Sequence, residues 1–455
     1  MSNPLNRRVI LLALSASLLG ICPEACAEDV WPGFRGRGNS HSRADSLPYS
    51  WQTQQQAAGS WTIRLPGYGQ SSPVVWKDRV FVTAVSGPEK QHLHVLAFNF
   101  DDGTLLWQQD FAGTQRVADQ DSVSRGAPTP VVSSERLHCV FESGDVVTLT
   151  HHGELLWERS FVAEFGEIQS PHGYASSPLL CDESLMIQVA HSGPSYVLAL
   201  DAATGATRWQ VDHPSQTGWS TPAVFEHAGR QGVIVSTAGS VRALDIQDGA
   251  EIWHVSGVRG NSTASPTVAG DLVLIGASES GGRGGRGPNR SGGATGGEAP
   301  SAVTTPALTF SEPAEEPGSF AIRLGGRGDV SNTHIAWKAP QVTCGYASPV
   351  ALADAAYFVK KTGVVQCVDL QSGQLRWQRR LPGETWASPI AHADHIFFFA
   401  KDGSVAAFNT QSESKELIES SVSAKDVVYG VAAAGDSWIV RTGRSLLRIS
   451  NQSQP

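Results

Sequence analysis

The sequence predicts an all-β fold, an eight-bladed β-propeller, and this prediction depends on two repeats that run in step. A Ser or Thr precedes a proline at the head of an apolar run seven times, at Pro73, Pro130, Pro178, Pro222, Pro266, Pro349 and Pro389. A Gly is followed four residues later by Trp five times, at Gly103/Trp107, Gly153/Trp157, Gly205/Trp209, Gly249/Trp253 and Gly373/Trp377. One unit is therefore roughly 42 to 50 residues long, the length of a four-stranded blade.

Each unit also contains its own strand and turn signals. Runs such as Arg79–Thr83 and Ile396–Phe399 are rich in β-branched and aromatic residues, which favour strands. The repeated Gly fits the positive φ of a tight turn, and the Trp after it falls on the outermost strand of the blade. A large flat ring there can fill the gap between neighbouring blades, so we interpret these Gly and Trp residues as architectural.

The two ends of the repeat region complement each other. Gly59 to Leu65 looks like an outer strand carrying Trp61 with no blade before it, whereas the last unit, from Val431 to Ile449, lacks a Trp strand of its own. We expect the N-terminal strand to complete the C-terminal blade, because this arrangement removes the exposed edges of an open sheet. Counting the shared blade gives eight.

The first residues predict export. Arg7 and Arg8 precede the apolar stretch Val9 to Gly20, and Ala25 to Ala27 fits a cleavage site, so residues 1–27 are interpreted as a signal peptide of the Sec or the Tat type. No later run of 18 apolar residues occurs, and we expect no membrane span. Residues 28–58 then form an N-terminal extension and 59–455 the propeller, in a periplasmic or secreted protein.

Residues 278–318 form a Gly- and Pro-rich insertion within the fifth blade. This segment has too little apolar surface to offset the entropy of ordering it, so we expect a disordered surface loop. Arginines interleaved with Gly occur in nucleic-acid-binding segments, but the 455-residue chain carries a formal net charge of −9 and is predicted to be exported. Both properties argue against a nucleic-acid partner.

Four cysteines follow the predicted signal peptide: Cys139, Cys181, Cys344 and Cys367. An even number of cysteines in an oxidising compartment permits disulfides, but four of them allow three pairings that the sequence does not distinguish. Cys344 and Cys367 fall in one predicted blade and are the preferred pair.

The repeat residues resemble the quinoprotein-like propeller repeat, most clearly in the stretches Ala199 to Trp209 and Val368 to Trp377. Within that superfamily, Trp31 to Gly36 and Ala321 to Asp329 resemble an exported bacterial group described as pyrroloquinoline-quinone-binding-like or BamB-like. The resemblance covers the chain from about Trp31 onward. It implies the propeller fold more firmly than a ligand, because members of the group mostly lack an established activity.

Aromatic residues stand three or four positions before four of the repeat prolines: Tyr174, Trp219, Tyr346 and Trp386. Equivalent positions in successive blades lie at one rim of the central channel, so we expect part of an aromatic ring there. Polar residues are expected to intersperse it, namely Arg125, His172, Arg259 and Asn261. Such a ring suits the stacking of a flat ligand or the binding of a peptide, although packing between blades would account for the same aromatics.

Two functions from different classes are compatible with these features. The first is a non-catalytic scaffold that binds a protein, peptide or small ligand at the channel rim, as a monomer with an unidentified partner in the cell envelope. It is favoured because no nucleophile, acid–base pair, metal cluster or cofactor site can be assigned. The alternative is an oxidoreductase of alcohols or sugars that holds pyrroloquinoline quinone and calcium in the channel mouth.

Overall fold

The structure is a computed structural model that describes residues 30–51, 59–278, 317–412 and 416–451. Within these ranges, eight blades of four antiparallel strands follow one another along the chain, and two of these sheets have a fifth strand of two residues. The prediction of an all-β, eight-bladed propeller is therefore confirmed. The predicted signal peptide and residues 279–316 of the predicted insertion lie outside the described residues.

Blades 1 to 4 each begin at the strand that follows a repeat proline. The strands of blade 1 are Val74–Trp76, Arg79–Ser86, His92–Asn99 and Leu105–Ala112. Those of blade 2 are Val131–Val132, Arg136–Val140, Asp145–Thr150 and Leu155–Ser160. Blade 3 contains Leu179–Cys181, Ser184–Val189, Ser195–Asp201 and Thr207–His213. Blade 4 contains Ala223–His227, Arg230–Thr237, Ser240–Asp245 and Glu251–Ser256, with Gly328–Asp329 added in parallel at its outer edge.

Blades 5 to 7 repeat this order. In blade 8 the outer strand comes from the segment that precedes blade 1 in the sequence. Blade 5 contains Thr267–Ala269, Leu272–Ile275, Ser319–Arg323 and Ile335–Ala339. Blade 6 contains Val350–Leu352, Ala355–Val359, Val364–Asp369 and Leu375–Arg380. Blade 7 contains Ile390–His392, His395–Phe399, Ser404–Asn409 and Ile418–Ser421. Blade 8 contains Val428–Ala434, Ser437–Thr442, Ser445–Ser450 and Trp61–Arg64.

The ring is closed by hydrogen bonding between the first and the last strand of the propeller region. Trp61–Arg64 pairs antiparallel with Ser445–Ser450, and Ile63 lies opposite Leu446. Among the described residues, helical structure is limited to two short segments, a turn at Arg35–Gly38 that is broken at Gly36 and a helix at Phe161–Phe165. In the described residues, no helix combines the length and the apolarity that crossing a bilayer requires.

The residues before the repeat prolines connect the blades through their hydroxyl groups. The backbone N–H of each of the first six donates to the hydroxyl oxygen of its counterpart in the next blade at 2.9 or 3.0 Å. In order, these residues are Ser72, Thr129, Ser177, Thr221, Ser265, Ser348 and Ser388. Blade 8 has Gly430 in contact with Ser72, and a Cβ there would lie 2.3 Å from the Ser72 hydroxyl oxygen. This contact explains why the Ser/Thr-Pro repeat occurs seven times in an eight-bladed ring.

The Gly and Trp residues of the second repeat meet between neighbouring blades. The indole N–H of Trp337 in blade 5 donates to the Leu370 carbonyl oxygen of blade 6 at 3.0 Å. Gly373 closes the same turn with a φ of +69°, and a Cβ added to it would lie 2.4 Å from the indole ring. The same indole-to-carbonyl bond is made by Trp61, Trp107, Trp157 and Trp209. These residues are architectural, as the sequence analysis proposed.

We expect Gly373→Ala to lower the free energy of unfolding by about 2–3 kcal/mol in equilibrium urea unfolding. About 1 kcal/mol comes from forcing an alanine to a positive φ, and the remainder from the collision with the Trp337 ring. Gly229→Ala is the matched control, because Gly229 has a φ of +74° but open space around it. Equal losses in the two variants would show that the Trp337 contact contributes nothing.

The prediction of a disulfide between Cys344 and Cys367 is wrong. Cys344 and Cys367 do not form a disulfide, and neither do Cys139 and Cys181. Cys344 packs in the core between blades 5 and 6, whereas Cys367 packs in the core between blades 6 and 7. Burial raises the pKa of the Cys344 thiol to about 12. Cys344 lies in the connection between blades 5 and 6 rather than in a strand of blade 6, so the two cysteines do not share a sheet.

Candidate ligand site at the channel mouth

The start of the described chain enters the central channel. Val30–Trp31 pairs antiparallel with Val74–Trp76 on the inner edge of blade 1. The Val132 N–H of blade 2 donates to the Pro32 carbonyl oxygen at 2.8 Å, and the Ser42 N–H donates to the carbonyl oxygen of Ala391 in blade 7 at 2.8 Å. We call residues 30–49 the plug, because residues 30–42 lie against the inner strands of several blades and the following residues continue to contacts with blades 7 and 8.

Arg35 is the most deeply placed charged residue of the plug, with 4% of its surface exposed. Its guanidinium donates to the Thr267 hydroxyl oxygen at 2.7 Å and to the carbonyl oxygens of Pro349 and Pro266 at 2.8 and 3.2 Å. Its Nε donates to the Ser40 hydroxyl at 2.9 Å. Burial lowers the pKa of Arg35 to about 9, so the side chain stays charged at neutral pH. In the described ranges, no carboxylate pairs with this charge.

Four aromatic rings follow one another across blades 6, 7, 8 and 1, and we call them the aromatic arc. The ring centroids of Tyr346 and Trp386 lie 5.2 Å apart, those of Trp386 and Tyr429 5.6 Å, and those of Tyr429 and Tyr68 6.0 Å. The hydroxyl groups of Tyr68 and Tyr429 are hydrogen-bonded at 2.8 Å. Tyr346 is 48% exposed, so the arc is open to solvent at that end.

Cations lie over the rings of the arc. The Lys361 ammonium is 5.4 Å from the centroid of Tyr346, and the Lys401 ammonium is 4.4 Å from that of Trp386. The guanidinium groups of Arg125 and Arg444 lie 4.7 and 5.6 Å from the Tyr68 centroid. Such contacts are electrostatically favourable because the ring face is negative.

Only part of this positive charge is neutralised within the fold. Arg125 pairs with Asp119 at 2.6 Å, and Lys401 pairs with Glu384 at 3.2 Å. Lys361 and Arg444 are exposed and have no ion pair with any carboxylate in the part of the chain that the structure describes. The arc therefore presents aromatic faces beside two uncompensated cations, a combination that suits an anionic ligand with an apolar body.

A cavity of about 90 Å³ separates the plug from the aromatic arc. Its lining consists of aromatic, small and hydroxyl side chains and one cation, and it contains no acid. The lining residues are Trp31, Phe34, Arg35, Ser40, Ser72, Tyr346, Trp386, Ser388, Ile390, Tyr429, Gly430 and Val431. The indole nitrogens of Trp31 and Trp386 are buried, and neither has a hydrogen-bond partner among the described residues.

The predicted site residues separate into several groups. Tyr346, Trp386 and Arg125 come together in and beside the aromatic arc. His172 and Trp219 form a separate pair with ring centroids 5.7 Å apart, and the Trp219 indole N–H donates to the Gly173 carbonyl oxygen at 2.9 Å.

The other three predicted residues do not join the aromatic arc. Tyr174 is 3% exposed and packs in the core between blades 2 and 3. Asn261 is fully buried, and its amide NH₂ donates to the hydroxyl of Ser236 and to the carbonyl oxygens of Thr237 and Ser240. Arg259 is exposed, outside the residues that line the cavity. Tyr174 and Asn261 are thus engaged within the fold rather than accessible to a ligand.

Five residues of the site were not predicted from the sequence: Tyr68, Tyr429, Lys361, Lys401 and Arg444. Tyr68 stands five residues before Pro73, so a wider search before each repeat proline would have found it. Tyr429 belongs to blade 8, which has no repeat proline to align. Lys361 and Lys401 each precede the Gly-containing hairpin turn of their blade, and that shared position was the available signal.

The cavity is small for the quinone of the alternative function. A pocket for a ligand of that size encloses roughly 300 Å³ or more, several times the 90 Å³ of the cavity. Trp31, Phe34 and Arg35 of the plug line that cavity and limit its size. Throughout the described ranges, no group of three His, Cys, Asp or Glu side chains is arranged to hold a metal ion.

Comparison with known families gives a match along most of the chain. A family model described as outer membrane protein assembly factor BamB matches residues 53–193, 175–296 and 328–454. A curated relative with that name from Alkalilimnicola ehrlichii is 25% identical over 158 residues, which are 33% of this chain and 38% of the relative. The chain thus spans well under two thirds of the length of that relative.

Solved structures show the same fold at low sequence identity. BamB from Moraxella catarrhalis superimposes with a TM-score of 0.56 at 15% identity, covering 87% of this chain and 98% of that protein. A europium-containing methanol dehydrogenase superimposes with a TM-score of 0.61 at 11% identity, covering 92% of this chain and 91% of that enzyme. At these identities the likeness concerns the fold alone, because one fold supports unrelated functions.

Proposed function

The chain belongs to the family of outer membrane protein assembly factor BamB, and on that premise we propose that it is a non-catalytic scaffold for the assembly of envelope proteins. It works in the periplasm, where the predicted signal peptide would deliver it. It binds a protein or peptide partner at the channel mouth, through the aromatic arc and the cations around it.

The observation that carries this proposal is the aromatic arc itself. Tyr346 is 48% exposed, and its ring continues into Trp386 and Tyr429 at centroid distances below 6 Å. Exposed aromatic side chains that are fixed by their neighbours offer a large contact area at a low entropic cost, which is why they are enriched at interfaces. Lys361 and Arg444 add positive charge at the edge, which favours a partner with acidic residues.

No observation favours the oxidoreductase. The cavity beside the arc is too small for a tricyclic quinone, and its lining contains no carboxylate that would hold a calcium ion. We therefore propose that the protein works without a redox cofactor. Purified protein incubated with pyrroloquinoline quinone and calcium should show no dye-linked oxidation of alcohols or sugars, and measurable turnover would contradict the proposal.

The scaffold role is tested by complementation of a strain that lacks the protein. We expect the double variant Tyr346→Ala/Trp386→Ala to be present at the normal level and to fail in restoring the amount of folded outer-membrane protein, measured by heat-modifiable mobility on gels. Trp219→Ala is the matched control, because Trp219 lies outside the arc. Full restoration by the double variant would exclude the arc as the partner site.

A further inference from the structure

The cavity between the plug and the aromatic arc has the chemistry of an anion site. Arg35 brings a positive charge to its wall without a carboxylate partner in the described chain, and Trp31 and Trp386 bring two buried indole N–H donors with no acceptor. A buried donor without an acceptor destabilises the fold, because it has lost its hydrogen bonds to water. A lining of this kind is complementary to a ligand that only accepts hydrogen bonds.

The backbone of the plug is also strained at this place. Arg35 has a φ of +60° and Ser40 a φ of +63°, and neither is a glycine. Both line the cavity, and the Nε of Arg35 donates to the Ser40 hydroxyl across the intervening turn. Strained non-glycine residues cluster at ligand sites because the surrounding structure holds them there for a functional reason.

We propose that this cavity binds a carboxylate group, with the Trp31 and Trp386 indole N–H groups as donors and the Arg35 guanidinium as the positive charge beside it. A volume of about 90 Å³ accommodates a carboxylate and a few atoms attached to it. The rest of the ligand leaves past Tyr346, the most exposed residue of the lining, and packs on its ring. Where the carboxylate belongs to an acidic side chain of a partner, the inference rests on the proposed function; a free organic acid would bind in the same way.

Benzoate and benzamide are the probes, because they share a ring and differ in charge. We expect benzoate to raise the melting temperature of the purified wild-type protein in a concentration-dependent manner, and benzamide to leave it unchanged at the same concentrations. Isothermal titration then gives the dissociation constant. A stabilisation by benzamide equal to that by benzoate would overturn the inference, and so would tighter binding of inorganic phosphate than of benzoate.

Trp386→Phe keeps a ring in the wall and removes one donor. We expect it to weaken benzoate binding roughly tenfold, the effect of one hydrogen bond to a charged acceptor. Trp219→Phe is the control, because its indole N–H already donates within the fold. Unchanged benzoate affinity in Trp386→Phe would show that the Trp386 indole N–H does not bind the carboxylate. Arg35→Met should abolish binding, and the Trp386→Phe result stands even if Arg35→Met fails to fold.

Competition distinguishes the two sources of the carboxylate. A short peptide with one Glu between apolar residues displaces benzoate if the ligand is a partner side chain, whereas the same peptide with Gln does not. Displacement by free organic acids alone assigns the cavity to a small acid and leaves the inference intact. These measurements use purified protein, so failure of benzoate binding is distinguishable from failure of the complementation test.

Discussion

We expect Lys90→Met to lower the free energy of unfolding by about 3–5 kcal/mol at pH 7, because it leaves a carboxylate buried without its partner. The Lys90 ammonium lies 3.6 Å from a Glu142 carboxylate oxygen, and each side chain is 4% exposed. Lys90 also donates to the Ser124 carbonyl oxygen at 2.7 Å, and both Glu142 oxygens accept from the Gly126 N–H. The measurement is equilibrium urea unfolding.

The effect of Lys90→Met should depend on pH in a definite direction. Burial raises the pKa of Glu142, and the Lys90 charge opposes this rise. Removing Lys90 therefore raises the folded-state pKa further above the unfolded value, so the native state of the variant favours the protonated, neutral carboxyl. Stability from a raised pKa is present at low pH and lost as pH increases through the folded value. The variant should accordingly lose less stability at pH 5 than at pH 8.

Two further variants test whether the loss comes from the unpaired charge. Lys90→Met combined with Glu142→Gln should recover most of the stability, because it removes both charges and keeps an acceptor for Gly126. Arg116→Met is the surface control, since Arg116 and Glu89 are 65% and 52% exposed and such pairs contribute under about 1 kcal/mol. A loss in Lys90→Met that is no larger than in Arg116→Met would show that the buried pair is unimportant.

The blade count was predictable because blade architecture imposes local and repeated demands. A turn that packs against an indole ring tolerates only Gly, as at Gly373 against Trp337. The same contact recurs from repeat to repeat, so the Gly and the Trp recur at a regular spacing in the sequence. The hydroxyl before a repeat proline is likewise required by the preceding blade, as the Ser388 hydroxyl oxygen is by the Ser348 N–H. Repetition of a physical requirement becomes a visible period in the sequence.

The plug was not predictable by the same reasoning. Residues 30–49 occur once, so no period marks them, and their partners are far away in sequence: Arg35 contacts the carbonyl oxygens of Pro266 and Pro349. The aromatic positions were only partly predictable for a related reason. The spacing before a repeat proline predicts where an aromatic residue lies in its blade, but the packing of neighbouring blades determines whether its side chain is exposed. Tyr346 is 48% exposed, whereas Tyr174 is 3% exposed.

The second large effect is expected from Trp438→Ala, which should lower the free energy of unfolding by about 3–5 kcal/mol. Trp438 is completely buried in blade 8, with ring centroids 4.7 and 5.3 Å from Phe397 and Phe399 of blade 7. Its indole N–H donates to the Pro48 carbonyl oxygen of the plug at 2.9 Å. The side chain thus joins the closing blade, its neighbour and the plug in one contact region.

Because of the Pro48 contact, Trp438→Ala should loosen the plug as well as destabilise the propeller. Hydrogen exchange under native conditions should be faster at the Ser42 amide, which donates to the Ala391 carbonyl oxygen. Trp438→Phe keeps most of the aromatic ring and should lower the free energy of unfolding by only about 1–3 kcal/mol, because the Pro48 carbonyl oxygen is left without its donor.

Trp253→Ala is the matched control, since Trp253 is 1% exposed in blade 4 and packs between blades 4 and 5. It should cost similar stability without changing exchange at Ser42. Equal exchange rates at Ser42 in the two Trp→Ala variants would show that Trp438 does not hold the plug in the channel.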